Sequence, residues 1–197
     1  MLAYLSWHRA AAGVEQPAYE QALERFHRSL AHRPPSGYCG SATLRLPDVP
    51  WLAPAPGAEE APGYEDWYLI DDWSAVGVLE EAAVSQGHLT AHSAVASRMG
   101  IGSSGVYRLI EGSARPVIAE RAVWVSPAPG HERLSLGALL GDGMDPKRDG
   151  LWRRCLVLGP APEYCLLAAE PPAGVAVDRL PGNWTAQTLA RETIWSA

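Results

Sequence analysis

Histidines that stand beside other polar residues are the first features of this 197-residue chain to suggest chemistry. Leu2 to His8 alternates in a way that predicts a short strand, and Arg9 follows it. A histidine there can act as a general base, because its ordinary pKa is about 6.5. Arg9 can hold an anionic substrate group with two parallel hydrogen bonds. A solvent-facing pair at a strand end is the alternative interpretation.

Two more histidine sites lie in segments with helical periodicity. His27 borders an apolar stripe, so it either points into a pocket as a second candidate base or lies at the helix boundary. His88 and His92 are four residues apart, which places two imidazoles on one helix face in an arrangement that can bind metal. The glutamate of the metalloprotease pattern is missing and no third ligand follows, so we predict no metal site.

Two pairs of acidic residues flank a predicted strand. Paired carboxylates can transfer protons or bind a cation. Asp71-Asp72 directly precedes a helical segment, so one of these residues is better explained as a helix cap. Glu65-Asp66 is interpreted as a strand end beside a loop.

Tryptophan is unusually abundant, with eight residues. Core filling is the expectation for any single tryptophan in a predicted strand. An aromatic-lined ligand cavity is the alternative, because small-molecule pockets are mostly apolar with a few polar groups. Its predicted wall is Trp7, Trp67 and Tyr68, although strand alternation lets only one of Trp67 and Tyr68 face inward. The tryptophans in predicted strands are Trp7, Trp67, Trp124, Trp152 and Trp195.

Composition excludes several classes of function. The net charge of -6 argues against a nucleic-acid binder, which needs a basic surface to neutralise phosphates. No apolar run approaches the roughly 20 residues of a membrane helix, and residues 1–9 lack the pattern of a signal peptide. The three cysteines have no metal-like spacing and are expected to be buried, reduced thiols, as in a cytoplasmic protein.

Hydrophobic periodicity divides the first half into strand, helix, strand, strand, helix and strand, the ferredoxin-like βαββαβ order. Residues 47–63 are rich in Pro, Ala and Glu and predict a long exposed loop, whereas Gly100, Gly102 and Gly105 predict a flexible turn. The predicted strands are 2–8, 37–46, 64–71 and 106–110, and the predicted helical segments are 19–31, 73–84 and 88–99.

The same order restarts at Ala119, with strands at 121–126, 151–158 and 164–169 and a helix at 132–140. Residues 184–195 predict a helical turn followed by a final strand. We therefore predict an α+β fold of tandem ferredoxin-like βαββαβ units, packed as a barrel-like pseudo-dimer with antiparallel sheets. The units are residues 1–115, with the long loop 47–63, and a shorter unit, 116–197. One mixed sheet with helices on one side is the alternative.

The first unit resembles the dimeric α+β-barrel superfamily, especially its EthD-like and stress-responsive members. The resemblance covers about the first half and lies in Trp7-His8-Arg9 at a strand end, Phe26-His27 in an aromatic-rich helix, Gly37-Tyr38 entering a strand, and 64–68. The proline-rich loop and the presence of two units in one chain depart from the family pattern. The superfamily includes cofactor-free monooxygenases, haem-binding proteins, isomerases and members without known activity. The resemblance therefore implies a pocket between sheet and helices more than a reaction.

These patterns lead to a principal functional hypothesis. It is the binding of a small apolar or aromatic ligand between sheet and helices. If the protein is an enzyme, its chemistry resembles that of a cofactor-free monooxygenase or an isomerase, with His8 or His27 as base and Arg9 as anion clamp.

Two alternatives stay open. One is a non-catalytic structural or interaction protein whose tryptophans fill the core. The other is a haem or metal protein with His27, His88 or His92 as ligand. The sequence requires no cofactor. The expected partner is a small molecule rather than nucleic acid or membrane, and a homo-oligomer is compatible with the pattern.

Overall fold

The computed structural model describes residues 1–54, 57, 61–85, 87–114, 118–127, 145–157, 159–168 and 184–197. Within these ranges the chain forms nine strands and three helices. In chain order they are β1 (Leu2–Ala10), α1 (Gln16–His32), β2 (Tyr38–Leu46), β3 (Gly63–Ile70), α2 (Trp73–Ala83), α3 (Leu89–Ala96), β4 (Met99–Gly112), β5 (Arg121–Ser126), β6 (Gly150–Val157), β7 (Tyr164–Leu167), β8 (Thr185–Ala190) and β9 (Glu192–Ser196). The helix predicted at 132–140 lies outside the described residues.

The strands form one antiparallel sheet in the order β8-β5-β7-β6-β4-β1-β3-β2-β9. The first four strands are ordered β4-β1-β3-β2, and the next four repeat that order as β8-β5-β7-β6. This repetition is the tandem ferredoxin-like arrangement, so the predicted fold class is confirmed. The boundary predicted between residues 115 and 116 lies outside the described residues and stays a prediction.

Two long extended segments join the halves of the sheet. Residues 99–108 of β4 pair with β1, and residues 105–112 pair with β6. The second segment consists of β8, which pairs with β5, and β9, which pairs with β2. Only Arg191 separates β8 from β9 in the chain. Because β8 and β9 lie at opposite edges of the strand order but are consecutive in the chain, the sheet must curl until its edges meet. The helical turn predicted at the start of 184–195 is wrong, since residues 185–190 are extended and paired.

Side chains from both halves fill the inside of the curled sheet. Trp7, Trp67, Trp124 and Trp152 are at most 1% exposed and belong to one apolar cluster. Trp7 meets Trp124 and Trp67 meets Trp152 edge to face, with ring centroids 5.5 and 5.3 Å apart. Core filling is therefore confirmed for these four tryptophans.

The loop 47–63 is less exposed than predicted. Val49 and Leu52 are buried in the barrel cluster, and the Trp51 ring packs edge-on against Trp7 with centroids 5.5 Å apart. The barrel interior removes Val49 and Leu52 from water, and Trp51 is partly buried against it. The first part of the loop therefore contributes to the core.

Two other expectations are also corrected. The glycines predicted to form a turn lie inside β4. Strand glycines often mark a close approach of two backbones, and a Cβ at Gly100 would stand 2.9 Å from Ala11 Cα. Of the three cysteines expected to be buried, only Cys165 is, whereas Cys39 and Cys155 are exposed.

The three helices cover the outer face of the first half of the sheet. Along α1, Tyr19, Leu23, Phe26 and Leu30 recur at three- and four-residue steps and are at most 6% exposed. This stripe packs with outward-facing side chains of β1 and β3 in a second apolar cluster, separate from the barrel interior. None of the described helices is long and apolar enough to cross a lipid bilayer.

The start of α2 identifies which of two aspartates is the cap. Asp72 Oδ1 accepts hydrogen bonds from the backbone N–H groups of Ser74 and Ala75, at 2.9 and 3.2 Å. These bonds satisfy donors that the first turn of a helix leaves free. Asp71 instead lies 3.1 Å from Cys39 Sγ, which donates to it.

Candidate functional site

Alternation along β3 sends two adjacent carboxylates to opposite faces of the sheet. Glu65 and Trp67 point into the barrel, whereas Tyr64, Asp66 and Tyr68 face the helices. Glu65 is 0% exposed and Asp66 is 3% exposed. The interpretation of this pair as a strand end beside a loop is therefore wrong, and each carboxylate needs partners of its own.

Two histidines from different elements meet the Asp66 carboxylate. His8 Nε2, on β1, lies 3.0 Å from Asp66 Oδ2, and His27 Nε2, on α1, lies 3.4 Å from Oδ1. Tyr68 donates its hydroxyl proton to Oδ2 at 3.2 Å. Both histidines are fully buried. No donor among the described residues completes a hydrogen bond to Oδ1, so this buried oxygen is unsatisfied.

Each histidine has a second partner at its other ring nitrogen. The Tyr19 hydroxyl lies 2.8 Å from His8 Nδ1, and Ser41 Oγ lies 2.8 Å from His27 Nδ1. When Tyr19 donates to Nδ1, a neutral His8 ring carries its proton on Nε2 and donates it to Asp66. These second partners orient both rings toward the carboxylate.

The cluster keeps Asp66 charged and Tyr68 protonated. Burial alone would raise the pKa of Asp66, but the opposing effects of His8 and His27 hold it well below its ordinary value. Asp66 is therefore an anion at neutral pH. Burial, together with the charge of Asp66, raises the pKa of Tyr68 well above its ordinary value of about 10, so its hydroxyl remains a donor.

A pocket of about 400 Å³ lies beside this cluster, between the outer face of β1, β3 and β4 and the helices. Asp66 and Tyr68 line its sheet side, and apolar side chains provide much of the remainder. No lysine or arginine occurs among the described residues that line it. Its other lining residues include Tyr4, Ser6, Phe26, Glu80, His92 and Val95.

The structure brings together three of the six predicted site residues. Tyr68 lines the pocket, and His8 and His27 join it through Asp66. A catalytic role for either histidine stays a prediction.

The other three predicted site residues lie away from the pocket. Trp7 and Trp67 are on the barrel side, where their indole N–H groups donate to Glu65 at 3.0 and 2.6 Å. Arg9 binds Asp48 Oδ1 at 2.5 Å and the Ala61 carbonyl at 2.8 Å. Arg9 therefore holds together two distant parts of the loop 47–63, and its predicted role as an anion clamp has no geometric link to the pocket.

Glu65 forms a separate buried cluster inside the barrel. Its Oε1 lies 3.0 Å from an Arg191 guanidinium nitrogen, and both side chains are 0% exposed. Arg191 also donates to the Ala119 carbonyl at 2.9 Å. Since Arg191 is the single residue between β8 and β9, this cluster connects β3 to the point where the barrel closes. Its position indicates a structural role.

The spacing of His88 and His92 does not create a metal pair. His88 is buried, with Nδ1 3.1 Å from Ser29 Oγ. His92 lines the pocket and packs edge to face on Phe26, with ring centroids 5.5 Å apart. In the part of the chain that the structure describes, no group of three His, Cys, Asp or Glu side chains has an arrangement that could hold a metal ion.

Sequence reasoning missed the central position of Asp66. The available signal was its place between Tyr64 and Tyr68 on one face of β3, since a carboxylate on an otherwise aromatic face requires partners. His8 and His27 were recognised singly. Their shared partner depends on the β1–β3 register, which places Ser6 opposite Asp66, and on how α1 docks.

The second half repeats the strands but not the polar cluster. Trp124 stands opposite Cys165 across β5 and β7, as Trp7 stands opposite Glu65 across β1 and β3. In the same register, Val123 and Leu166 replace Ser6 and Asp66. Apolar residues therefore occupy the equivalent positions, and this arrangement of polar groups belongs to the first half.

Comparison with known proteins reveals similarity at the level of fold. We found no matching family model and no matching curated protein. A solved structure of a proposed monooxygenase from Fusobacterium nucleatum subsp. nucleatum aligns with a TM-score of 0.64 at 8% identity, over 99% of this chain and 93% of that one.

Two further solved structures are similar. A proposed monooxygenase from Lactobacillus acidophilus aligns with a TM-score of 0.55 at 9% identity, over 100% of this chain and 95% of that one. An anthrone oxidase-like protein aligns with a TM-score of 0.54 at 10% identity, over 100% and 92%. At such low identities these structures show a shared ferredoxin-like α+β barrel fold, which by itself does not define a function.

Proposed function

We propose that the protein binds a small, mostly apolar molecule between the sheet and the helices and exchanges a proton with it through the Asp66 cluster. One observation carries this proposal: a buried carboxylate with an unsatisfied oxygen and two histidine partners lines a pocket of about 400 Å³. Titratable groups with perturbed pKa values in a cleft are typical of functional sites.

The geometry of the cluster suits proton transfer. Asp66 Oδ1 and His27 Nε2 are 3.4 Å apart without a completed hydrogen bond, so a proton arriving from a ligand can be held between them. The low pKa of Asp66 favours the imidazole as the final position of that proton. Tyr68 lines the pocket, and its hydroxyl lies 3.2 Å from Asp66 Oδ2, so this side chain can connect a ligand to the carboxylate.

The reaction class we propose begins with removal of a proton from an activated C–H or O–H group of the ligand. The resulting enolate or phenolate either reacts with dioxygen, as in a cofactor-free monooxygenase, or regains the proton at another carbon, as in an isomerase. In the reaction with dioxygen, one oxygen atom becomes a new carbonyl of the ligand, and the other leaves as water with the two hydrogens that the ligand loses. The names of the structural neighbours support the monooxygenase option. Assignment to the EthD-like or stress-responsive type of barrel is part of the same proposal.

Ligand binding is the first test. We expect 2-naphthol, added to isotopically labelled protein, to shift the NMR signals of Leu79, Ala83 and Val95, which line the pocket. The methyl ether of 2-naphthol lacks the donor proton and should bind more weakly. Asp66→Asn should weaken 2-naphthol binding by about tenfold, the scale of one charge-assisted hydrogen bond. Asp71→Asn is the matched control, because Asp71 is exposed and outside the pocket.

Turnover is the second test. Oxygen uptake or substrate isomerisation with hydroxylated polycyclic aromatics should fall in His8→Gln and in His27→Gln. The proposal is contradicted if no aromatic ligand shifts signals of the pocket residues, or if Asp66→Asn and Asp71→Asn bind 2-naphthol with equal affinity.

A further inference from the structure

We infer that the pocket selects a positively charged ligand, a small aromatic amine in its ammonium form, and rejects carboxylates of similar size. This inference rests on the proposed function, because it concerns the same pocket. It adds the charge of the ligand to the size and polarity already proposed.

The permanently charged side chains among the described residues of the pocket wall are both carboxylates. Asp66 contributes a carboxylate from β3 and Glu80 contributes another from α2. Arg9 is bound to Asp48 and is not among the lining residues, and Arg98 donates to the Ala94 carbonyl at 2.6 Å. No lysine or arginine occurs among the described lining residues, so an anionic ligand would meet two carboxylates and could turn only to hydroxyl groups and the His92 imidazole. Such burial of an unpaired charge is strongly unfavourable.

Aromatic rings line the same space. The rings of Tyr4 and Tyr68 have centroids 6.1 Å apart, and Phe26 lies 6.3 Å from Tyr68. All three residues line the pocket. The face of an aromatic ring attracts a cation, and this attraction strengthens when water is excluded. An amine carried on an aromatic ring can therefore bury its apolar part while its charged end meets the rings and carboxylates.

The hydrogen-bonding groups of the pocket also favour an ammonium ligand over a carboxylate ligand. An ammonium group has three donors and no acceptor. The pocket offers the Asp66 carboxylate, the Glu80 carboxylate and the hydroxyl of Ser6 as acceptors. A carboxylate ligand has only acceptors, so it would have to depend on hydroxyl donors and the His92 imidazole while lying near two anions.

Three probes of nearly equal size test the inference: benzylamine, benzyl alcohol and benzoate. They are titrated into the full-length protein at pH 8, well above the ordinary histidine pKa of about 6.5, and followed by NMR at the pocket residues. We expect benzylamine to bind about tenfold more tightly than benzyl alcohol, the scale of one partly desolvated charge interaction. Benzoate should bind most weakly.

Variants that remove one negative charge show which carboxylate causes the tighter binding of benzylamine. Asp66→Asn should abolish most of the advantage of benzylamine over benzyl alcohol. Glu80→Gln should reduce it and, because Glu80 is exposed, serves as the variant least able to disturb folding. Glu24→Gln is the matched control, since Glu24 pairs with Arg28 on α1 and does not line the pocket.

The outcomes separate the two proposals. If 2-naphthol or benzyl alcohol binds in the pocket but benzylamine binds no more tightly than benzyl alcohol, the selection for cations is overturned and the proposed function stands. Tighter binding of benzoate, or an advantage of benzylamine that survives both Asp66→Asn and Glu80→Gln, overturns it as well. If neither 2-naphthol nor any of the three probes binds to the folded protein, both proposals fail.

Discussion

Glu65→Gln should destabilise the protein more than almost any other change of one charge. The Glu65 carboxylate accepts two indole N–H groups, at 3.0 and 2.6 Å, and pairs with Arg191 at 3.0 Å. Both charged side chains are 0% exposed. Removing one partner of a buried ion pair costs about 3–5 kcal/mol, because the other charge stays desolvated. The amide oxygen of glutamine can still accept from one indole, so we expect a loss near the lower limit, about 3 kcal/mol.

Urea unfolding followed by tryptophan fluorescence measures this loss, since four tryptophans are packed inside the barrel. At about 2–4 °C per kcal/mol for a chain of this length, the melting temperature should fall by roughly 6–12 °C. Glu111→Gln, which changes an exposed glutamate on β4, is the control and should stay within about 0.5 kcal/mol of wild type.

A double-mutant cycle with Arg191→Met isolates the ion pair. The double variant buries neither charge, so it should be less destabilised than the sum of the single variants by at least about 1 kcal/mol. The reasoning is refuted if Glu65→Gln costs less than about 1 kcal/mol, or if the two losses simply add.

Three further predictions concern pH and backbone geometry. The folded-state pKa of Asp66 lies below its unfolded value of about 3.9. The stability that the carboxylate contributes is therefore complete above about pH 3.9 and is lost as the pH falls below that value. In a plot of unfolding free energy against pH, Asp66→Asn should accordingly flatten the decrease on the acid side. Burial raises the pKa of Tyr4 to about 12, so the stability from its neutral form should persist below about pH 10 and decline as the pH rises through 12. The measurement is tyrosinate absorbance during a pH titration, in which Tyr4 should ionise at higher pH than an ordinary tyrosine. Gly37→Ala should lower the melting temperature, because Gly37 has a φ of +78° and a Cβ there would stand 2.6 Å from Ala75 Cβ, whereas Gly77→Ala, in open space on α2, should raise it. An acid limb unchanged by Asp66→Asn, Tyr4 ionisation that is half complete near pH 10, or equal melting temperatures for the two alanine variants would count against the respective argument.

Much of the architecture was predictable because its signals are local. The apolar stripe of α1 and the alternation of β1 to β3 are periodic within a few residues, and the element order of the first half follows from such periodicity. The predictions from sequence were wrong where contacts with distant residues outweigh the local composition. The loop 47–63 looked exposed, yet Val49 and Leu52 complete the core because the barrel interior reaches them.

In the candidate site, too, local sequence signals identified candidate residues, but distant contacts decided their partners. His8, His27 and Tyr68 were selected from residue type and position, and all three surround one carboxylate. Arg9 was selected on the same grounds, but its partners Asp48 and Ala61 lie on the loop. Residue type indicates what a side chain can do, whereas its neighbours across the sheet determine what it contacts.

The sequence alone determined the order of the strands and helices in the first half, the tandem α+β plan and the set of residues capable of proton transfer, since each follows from short-range periodicity and side-chain chemistry. Tertiary structure decided that Asp66, and not Glu65, faces the pocket with His8 and His27. It also decided that Glu65 joins Arg191, 126 positions later in the chain, where β8 and β9 close the barrel. The physical reason is that a buried carboxylate must find donors, and these donors come from whichever distant elements the sheet register and the helix packing place beside it.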